Sequence, residues 1–390
     1  MQFFEMYRCG LCGREVPAGS IAGECPSCAG PLLGVYDIDN IRHDVTREEF
    51  LGAGENLWSF RALLPDFPVR LTLGEGWTPL IEAKKLGAAI GSSSLYIKDE
   101  SLNPTGSFKA RGMAVAISRL IDLRAKSACM PSAGNAGLAL AAYGASAGIE
   151  CTIYMPEETP EGVAEECRAY GAAVIMVPGA LPEAARRMAA EQGEASSVNL
   201  TTFREPCRVE GKKTIAFELA AQLGEGTPDW IIFPTGGGTG IVALWKAYGE
   251  LEELGWLDGP KPRLAVVQSA GCAPLVKAFE QSRDRAETWE DPVTIASGIR
   301  VPGSRADHLI LSALYESGGS AVAVPDSAIL AAVSEIAAAE GVFPAPEGAA
   351  TWAGCRALVE NGTIDPSQRI VLVNTAGGSR YRFLLDAYGR

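Results

Sequence analysis

From Leu71 onward the chain alternates short, apolar, β-rich runs with helical ones, and this alternation restricts the fold more than any other feature. The β-rich runs fall at residues 95–98, 151–155, 173–177, 230–233, 264–268, 322–324 and 370–374. Helical runs at residues 136–147, 214–223, 241–253 and 327–339 separate them. Strands that alternate with helices pair in parallel and are covered on both faces, so the pattern predicts an α/β protein with twisted, mostly parallel sheets. A chain of 390 residues is long enough for two lobes with a ligand cleft between them, plus a small appendage. The net charge is −13 and no segment gathers Lys and Arg into a stripe, which argues against nucleic acid as a partner. The most apolar long window, residues 133–149, carries Asn135 and several Gly and Ser residues and falls short of a membrane span. Residues 1–9 contain no apolar signal core, so a cytoplasmic protein is expected.

The appendage is at the N-terminus. Of the 10 cysteines, four stand in two CxxC pairs, Cys9-Gly10-Leu11-Cys12 and Cys25-Pro26-Ser27-Cys28, with residues 13–24 between them. Each pair can fold as a knuckle, and four thiolates then meet one tetrahedral Zn²⁺. No coordination position is left for water, so the zinc is expected to be structural, and residues 1–36 would hardly fold without it. The other cysteines are scattered, which suits buried thiols better than a disulfide scaffold. Residues 37–75 read as a connecting arm, with a charged helical stretch around 47–50 followed by Pro65 and Pro68. Only His43 and His308 are present, so chemistry built on several histidines is hard to assemble.

Four local patterns carry chemistry. In Asn103-Pro104-Thr105-Gly106-Ser107-Phe108-Lys109, a turn delivers one lysine to the start of an Ala-rich helical run. The positive end of a helix disfavours an ammonium there, and a neutral amine can attack a carbonyl to form a Schiff base. In Pro131-Ser132-Ala133-Gly134-Asn135-Ala136-Gly137, small residues open a helix whose first N–H groups attract an anion such as a carboxylate. The amide of Asn135 can bond a phenolic oxygen. Pro234-Thr235-Gly236-Gly237-Gly238-Thr239-Gly240 sits between a strand and a helix, as a nest of backbone amides for a phosphate does. Neither a Walker lysine nor the dinucleotide glycine spacing is present there. In Val373-Asn374-Thr375-Ala376-Gly377-Gly378, a hydroxyl follows the last strand, where it can face a ring nitrogen. Together a Schiff-base lysine, an amide for a phenolate, a phosphate nest and a hydroxyl for a pyridine nitrogen describe one ligand, pyridoxal 5′-phosphate.

Over nearly its whole length the chain resembles the threonine synthase family of fold-type II pyridoxal-phosphate enzymes. The resemblance is carried by Gly74-Glu75-Gly76-Trp77-Thr78-Pro79-Leu80, by the lysine segment, and by Arg208-Val209-Glu210-Gly211-Lys212-Lys213-Thr214. The glycine loop, Ser297-Gly298-Ile299-Arg300 and Pro346-Glu347-Gly348-Ala349-Ala350-Thr351 also carry it. It implies a two-lobed, tryptophan synthase β-like fold behind the zinc ribbon. Residues 37–110 and 206–390 would form a large cofactor-binding domain and residues 111–205 a small one.

The resemblance further implies that Lys109 anchors the cofactor and moves protons, that Asn135 bonds its phenolic oxygen and that Gly236, Gly237, Gly238, Thr239 and Gly240 hold its phosphate. Thr375 would face the ring nitrogen, tempering the ring as an electron sink in a way that suits elimination over transamination. Ser132, Ala133, Gly134, Asn135 and Ala136 would take the substrate carboxylate and Arg208 the leaving phosphate, with Thr78, Lys98 and Arg300 as lesser candidates. A surface salt bridge is the plain alternative for Arg208. The implied reaction converts O-phospho-L-homoserine and water to L-threonine and phosphate by γ-elimination and β-addition. Related enzymes are often dimers, so a homodimer is expected. Departures concern the substrate: Ala110 stands where many threonine synthases carry Asp, the glycine loop lacks the asparagines of some synthases, and Ala376-Gly377-Gly378-Ser379-Arg380 replaces the usual ending. A threonine or serine dehydratase, or a β-replacement lyase on a related amino acid, phosphorylated or not, is the alternative these leave open.

Overall fold

The computed structural model describes residues 3–20, 22–192, 197–224 and 226–381. Along the chain the strands are β1 (Phe4–Cys9), β2 (Glu15–Pro17), β3 (Leu32–Tyr36), β4 (Leu80–Glu82), β5 (Leu95–Asp99), β6 (Ser127–Pro131) and β7 (Glu150–Pro156). There follow β8 (Ala173–Val177), β9 (Ser197–Asn199), β10 (Trp230–Pro234), β11 (Arg263–Ser269), β12 (Ser320–Val324) and β13 (Ile370–Asn374). Contacts divide them into two compact units. One holds the described residues up to Trp77, with Asn103–Thr105 and Lys109–Thr214; the other holds Thr78–Leu102, Gly106–Phe108 and the described residues from Ile215 on. By contacts the arm thus groups with the ribbon and residues 109–214.

The first unit begins with an antiparallel ribbon in the order β2-β1-β3. Phe4, Tyr7 and Cys9 of β1 are buried. In the arm, Thr46 and Glu49 satisfy each other's backbone N–H groups in a capping box, which starts the helix Arg47–Leu51 in the charged stretch the sequence singled out. A four-stranded sheet follows in the order β8-β7-β6-β9, parallel throughout. Its core joins Cys129, Tyr154 and Val177 with Ala184 and Met188 of the helix Leu181–Gln192.

The second unit is built on a six-stranded sheet in the order β12-β11-β10-β13-β5-β4. Every pair is parallel except β4 with β5. The central strands β10 and β13 are buried at all positions, which is why they read as unbroken apolar runs. Trp352, from the helix Pro346–Glu360, packs with Ile97, Trp230, Val267 and Leu372 in one core, each large side chain contributing about 1.5–3 kcal/mol. Because β13 inserts between β10 and β5, the loops that leave β10, β13 and β5 emerge at one edge of the sheet. Ligands of open α/β sheets bind at such carboxyl edges.

Candidate active site

Lys109 is the first residue of the helix Lys109–Asp122 and is half-buried, while residues 110–120 are buried on every side. The turn before it uses left-handed backbone at Thr105 (φ 59°) and Gly106 (φ 68°). In the second unit, residues 106–108 are stitched to the loop after β13. The N–H of Phe108 donates to Thr375 O (3.0 Å), that of Gly377 to Gly106 O (3.1 Å), and Ser107 bridges Ala376. The residue preceding the lysine is therefore fixed by backbone bonds to the loop that carries Thr375.

Beside the lysine helix lies the first part of the helix Cys207–Leu223. The crossing is close: a Cβ on Gly211 would stand 2.1 Å from Arg111 O, and one on Gly112 would stand 2.4 Å from Lys212 Nζ. Gly112 is one helical turn from Lys109. Lys212 donates to Arg208 O at 2.6 Å. Burial, then the charges of Arg208 and Lys109, hold its ammonium well below the ordinary lysine range. Arg208 is 1% exposed, so it is not a surface ion pair. Its Nη1 donates to Leu200 O and its backbone N–H to Glu205 Oε2 (2.9 Å). Its Nε has no hydrogen-bond partner among the described residues. Burial, opposed by Glu205, lowers its pKa to about 10, which leaves the guanidinium charged at neutral pH. A buried cation with an unused donor is equipped for an anion. Lys212 was not singled out from the sequence, although its i+4 spacing from Arg208 places both on one helix face.

In the same unit, β6 runs into Ser132 and the helix Asn135–Ala147. No side chain caps this helix at Gly134; instead Ser132 Oγ accepts from the N–H of Gly137 (2.9 Å) and of Gly134 (3.3 Å). Residues 133–136 are half-buried. The Ser132 hydroxyl thus shapes the loop, and residues 133–136 are the part of the carboxylate candidate that is not fully buried.

In the second unit the glycine loop connects β10 to the helix Thr239–Leu254. Gly238 takes the N-cap in left-handed conformation (φ 85°), with no side chain capping the helix. That leaves the first-turn amides to an external acceptor, as a phosphate nest requires. The loop is backed by the Ser297–Ile299 turn: a Cβ on Gly236 would stand 3.0 Å from Gly298 O and 2.8 Å from Val301. Ser304 Oγ donates to Gly237 O (2.8 Å), and Glu347 accepts the N–H of Gly298 (2.6 Å). Two sequence motifs, at 297–300 and 346–351, therefore brace the loop. After β13, Asn374 Nδ2 donates to Asp99 Oδ1 (2.8 Å) and Thr375 is buried. Thr78 has another occupation. Its hydroxyl donates to Glu100 (2.6 Å), its N–H to Glu218 (3.2 Å), and its carbonyl accepts from Lys98 (2.7 Å) and Gln222 (2.8 Å). Lys98 is itself in a fully buried ion pair with Glu218 at 2.6 Å. Both side chains serve the interior of this unit.

The four ribbon cysteines converge, with all four sulfurs within 4.8 Å of one another. The N–H groups of Leu11 and Cys12 point at Cys9 Sγ (3.4 and 3.5 Å), and that of Ser27 at Cys25 Sγ (3.4 Å). Burial raises the Cys25 thiol, but the N–H groups of Ser27 and Cys28 and the neighbouring thiols outweigh it and bring it to about 6. A convergent all-sulfur donor set with a ready thiolate fits tetrahedral zinc. The six other cysteines are buried thiols.

The model of the pyridoxal-phosphate dependent enzyme family matches residues 71–376. Threonine synthase of Methanocaldococcus jannaschii is 36% identical over 376 residues, covering 96% of this chain and 92% of that protein. Threonine synthase of Methanosarcina acetivorans is 35% identical over 372 residues, covering 94% and 90%. Among solved structures, maize serine racemase superposes with a TM-score of 0.68 at 23% identity, over 80% of this chain and 94% of that one. The processed form of threonine deaminase isoform 2 from Solanum lycopersicum gives 0.67 at 23%, over 80% and 88%. These two likenesses show the fold.

Proposed function

The chain belongs to the threonine synthase family of pyridoxal-phosphate dependent enzymes, and from that premise we propose that it converts O-phospho-L-homoserine and water to L-threonine and phosphate. The observation that carries this reading is Arg208: a buried guanidinium with an unused Nε, on a helix packed against the lysine helix, suits a phosphate leaving group. An amino acid that loses only a hydroxyl has no use for such a group.

Pyridoxal phosphate, when bound, supplies an aldehyde for an amine and a conjugated ring that draws electrons from the substrate carbons. In this proposal Lys109 provides the amine and carries protons at the substrate's Cα, Cβ and Cγ. The uncapped amides from Gly238 onward, with Gly236, Gly237, Thr239 and Gly240, take the cofactor phosphate. Asn135 bonds the phenolic oxygen and Thr375 faces the ring nitrogen. Ser132, Ala133, Gly134, Asn135 and Ala136 orient the substrate carboxylate, the Ser132 hydroxyl acting through the loop it holds. The ribbon cysteines hold a structural zinc. Among the described residues no helix is long and apolar enough to cross a membrane. A cytoplasmic homodimer completes the proposal, and size-exclusion chromatography with light scattering tests the dimer.

Incubation with O-phospho-L-homoserine is expected to release phosphate and threonine in equal amounts, and Lys109→Ala to abolish both. No release at any enzyme concentration would overturn the assignment. Ala110 favours one other reading, a dehydratase; formation of 2-oxobutanoate from threonine faster than any phosphate release would select it.

A further inference from the structure

The ribbon grips the helix that carries Arg208 and Lys212 at neighbouring points. In the register of β1 with β3, Cys9 faces Leu32, and two residues along Tyr7 faces Gly34. Both members of that second pair reach the helix Cys207–Leu223. The Tyr7 hydroxyl lies 3.3 Å from Cys207 Sγ, and the N–H of Gly34 donates to Glu210 Oε1 at 2.9 Å. Cys207 and Glu210 are one turn apart, so a single rung of the ribbon addresses a single face of the helix. From β3, Tyr36 donates to Glu210 Oε2 at 2.8 Å. Lys213 stands 2.7 Å from that oxygen and 3.9 Å over the Tyr36 ring, with both charged side chains fully buried. A second strap runs through Arg119, which donates to the carbonyls of Ser20 (2.7 Å) and Ala22 (3.1 Å) and to Glu205 Oε1 (3.1 Å). The other oxygen of Glu205 accepts the Arg208 N–H.

The metal ligands define this rung. Cys9 ends β1, and Cys28 precedes β3 by a short turn in which Gly30 would place a Cβ 2.9 Å from Cys9 Sγ. A metal bound there fixes the Cys9–Leu32 pair, and the Tyr7–Gly34 pair lies about 7 Å further along the strands.

We propose that Glu210 is a positioning residue through which the four-cysteine ribbon holds Arg208 and Lys212 against the lysine helix, so that metal in the ribbon tightens the enzyme's hold on a phosphate group. This rests on the reading of Arg208 as an anion site. The ribbon then acts on a subsite for the leaving group, beyond closing its own small fold.

The test uses the full-length, cofactor-loaded enzyme and inorganic phosphate as competitive inhibitor. Glu210→Gln is expected to weaken phosphate and raise the KM of the phosphorylated substrate by about tenfold, as loss of a hydrogen bond to a charged group implies, with kcat changed far less. Tyr36→Phe, which keeps both charges, moves the same quantities in the same direction by a smaller factor and decides the matter if Glu210→Gln does not fold. Stripping the ribbon metal with a chelator, which Cys12 and Cys28 are exposed enough to permit, reproduces the weakening in the wild type. It adds nothing in Glu210→Gln, and hydrogen exchange at residues 205–214 speeds up in both cases. Unchanged phosphate affinity after metal removal, with Arg208→Ala still abolishing it, overturns the coupling. Unchanged affinity in Arg208→Ala instead overturns the anion-site reading beneath it.

Discussion

Lys212 carries a charge at odds with its surroundings. It is fully buried, and Arg208 and Lys109 add like charge to the penalty of burial, while the carboxylate of Glu205 opposes them. Its folded pKa therefore lies below the ordinary 10.5. Below the folded value both states hold the proton and the burial penalty is fully present; above 10.5 neither state holds it and the penalty is gone. Between the two, the unfolded chain binds more protons, so stability rises with pH across that window. Lys212→Met removes the titrating group while filling a similar volume. The urea midpoint of the wild type is expected to climb more steeply with pH through the window than that of the variant, and parallel curves would contradict the assignment. From the sequence, Lys109 and Arg208 were legible as candidates because each stands in a recognisable local pattern. Lys212 was not, because its meaning depends on a crossing with Gly112, a hundred residues earlier in the chain.

At the scale of elements, legibility followed length and burial. The runs at 173–177 and 370–374 coincide with β8 and β13, and 230–233 falls one residue short of β10, because these strands are continuous and apolar. The strands β4 and β9 have three residues each, too few for any period to register. The helix Leu181–Gln192 buries only Ala184 and Met188 deeply, so its apolar stripe is thin among charged neighbours. The crossing of the lysine helix with the helix Cys207–Leu223 is a further feature that no single run announces. It depends on glycine at 211, where any side chain would run into Arg111 O. Gly211→Ala is expected to destabilise the protein by about 3 kcal/mol, at the upper end for overpacking, since the obstructing atom is backbone and cannot rotate away. Chemical denaturation measures the loss, and an increase in KM for the phosphorylated substrate is expected in the fraction that remains folded. A variant as stable as the wild type would show that the two helices can part without loss.

For the molecule as a whole, the pieces of the candidate site were readable locally, whereas the ties that hold them in place are long-range. Tyr7 meets Cys207, Gly34 meets Glu210, and Arg119 meets Ser20, and nothing within any of these segments encodes its partner. The ribbon shows what such ties require. Its three strands bury Phe4, Tyr7, Val16, Leu32 and Tyr36, a small core for so short a segment, so its shape depends also on four cysteines at one end and on polar bonds to the helix Cys207–Leu223 and to Arg119 at the other. Four thiolates fill one tetrahedral site, and binding free energy at such a site is folding free energy for the segment around it. Atomic emission on the purified protein is therefore expected to find one zinc per chain. Cys12→Ser removes an exposed ligand with little loss of packing and should strip most of that metal. Hydrogen exchange should then accelerate across the ribbon while β10 and β13, buried at every position, keep their protection. Ribbon amides equally protected with and without zinc would mean that the polar straps alone hold it, and that the cysteines are dispensable to the fold.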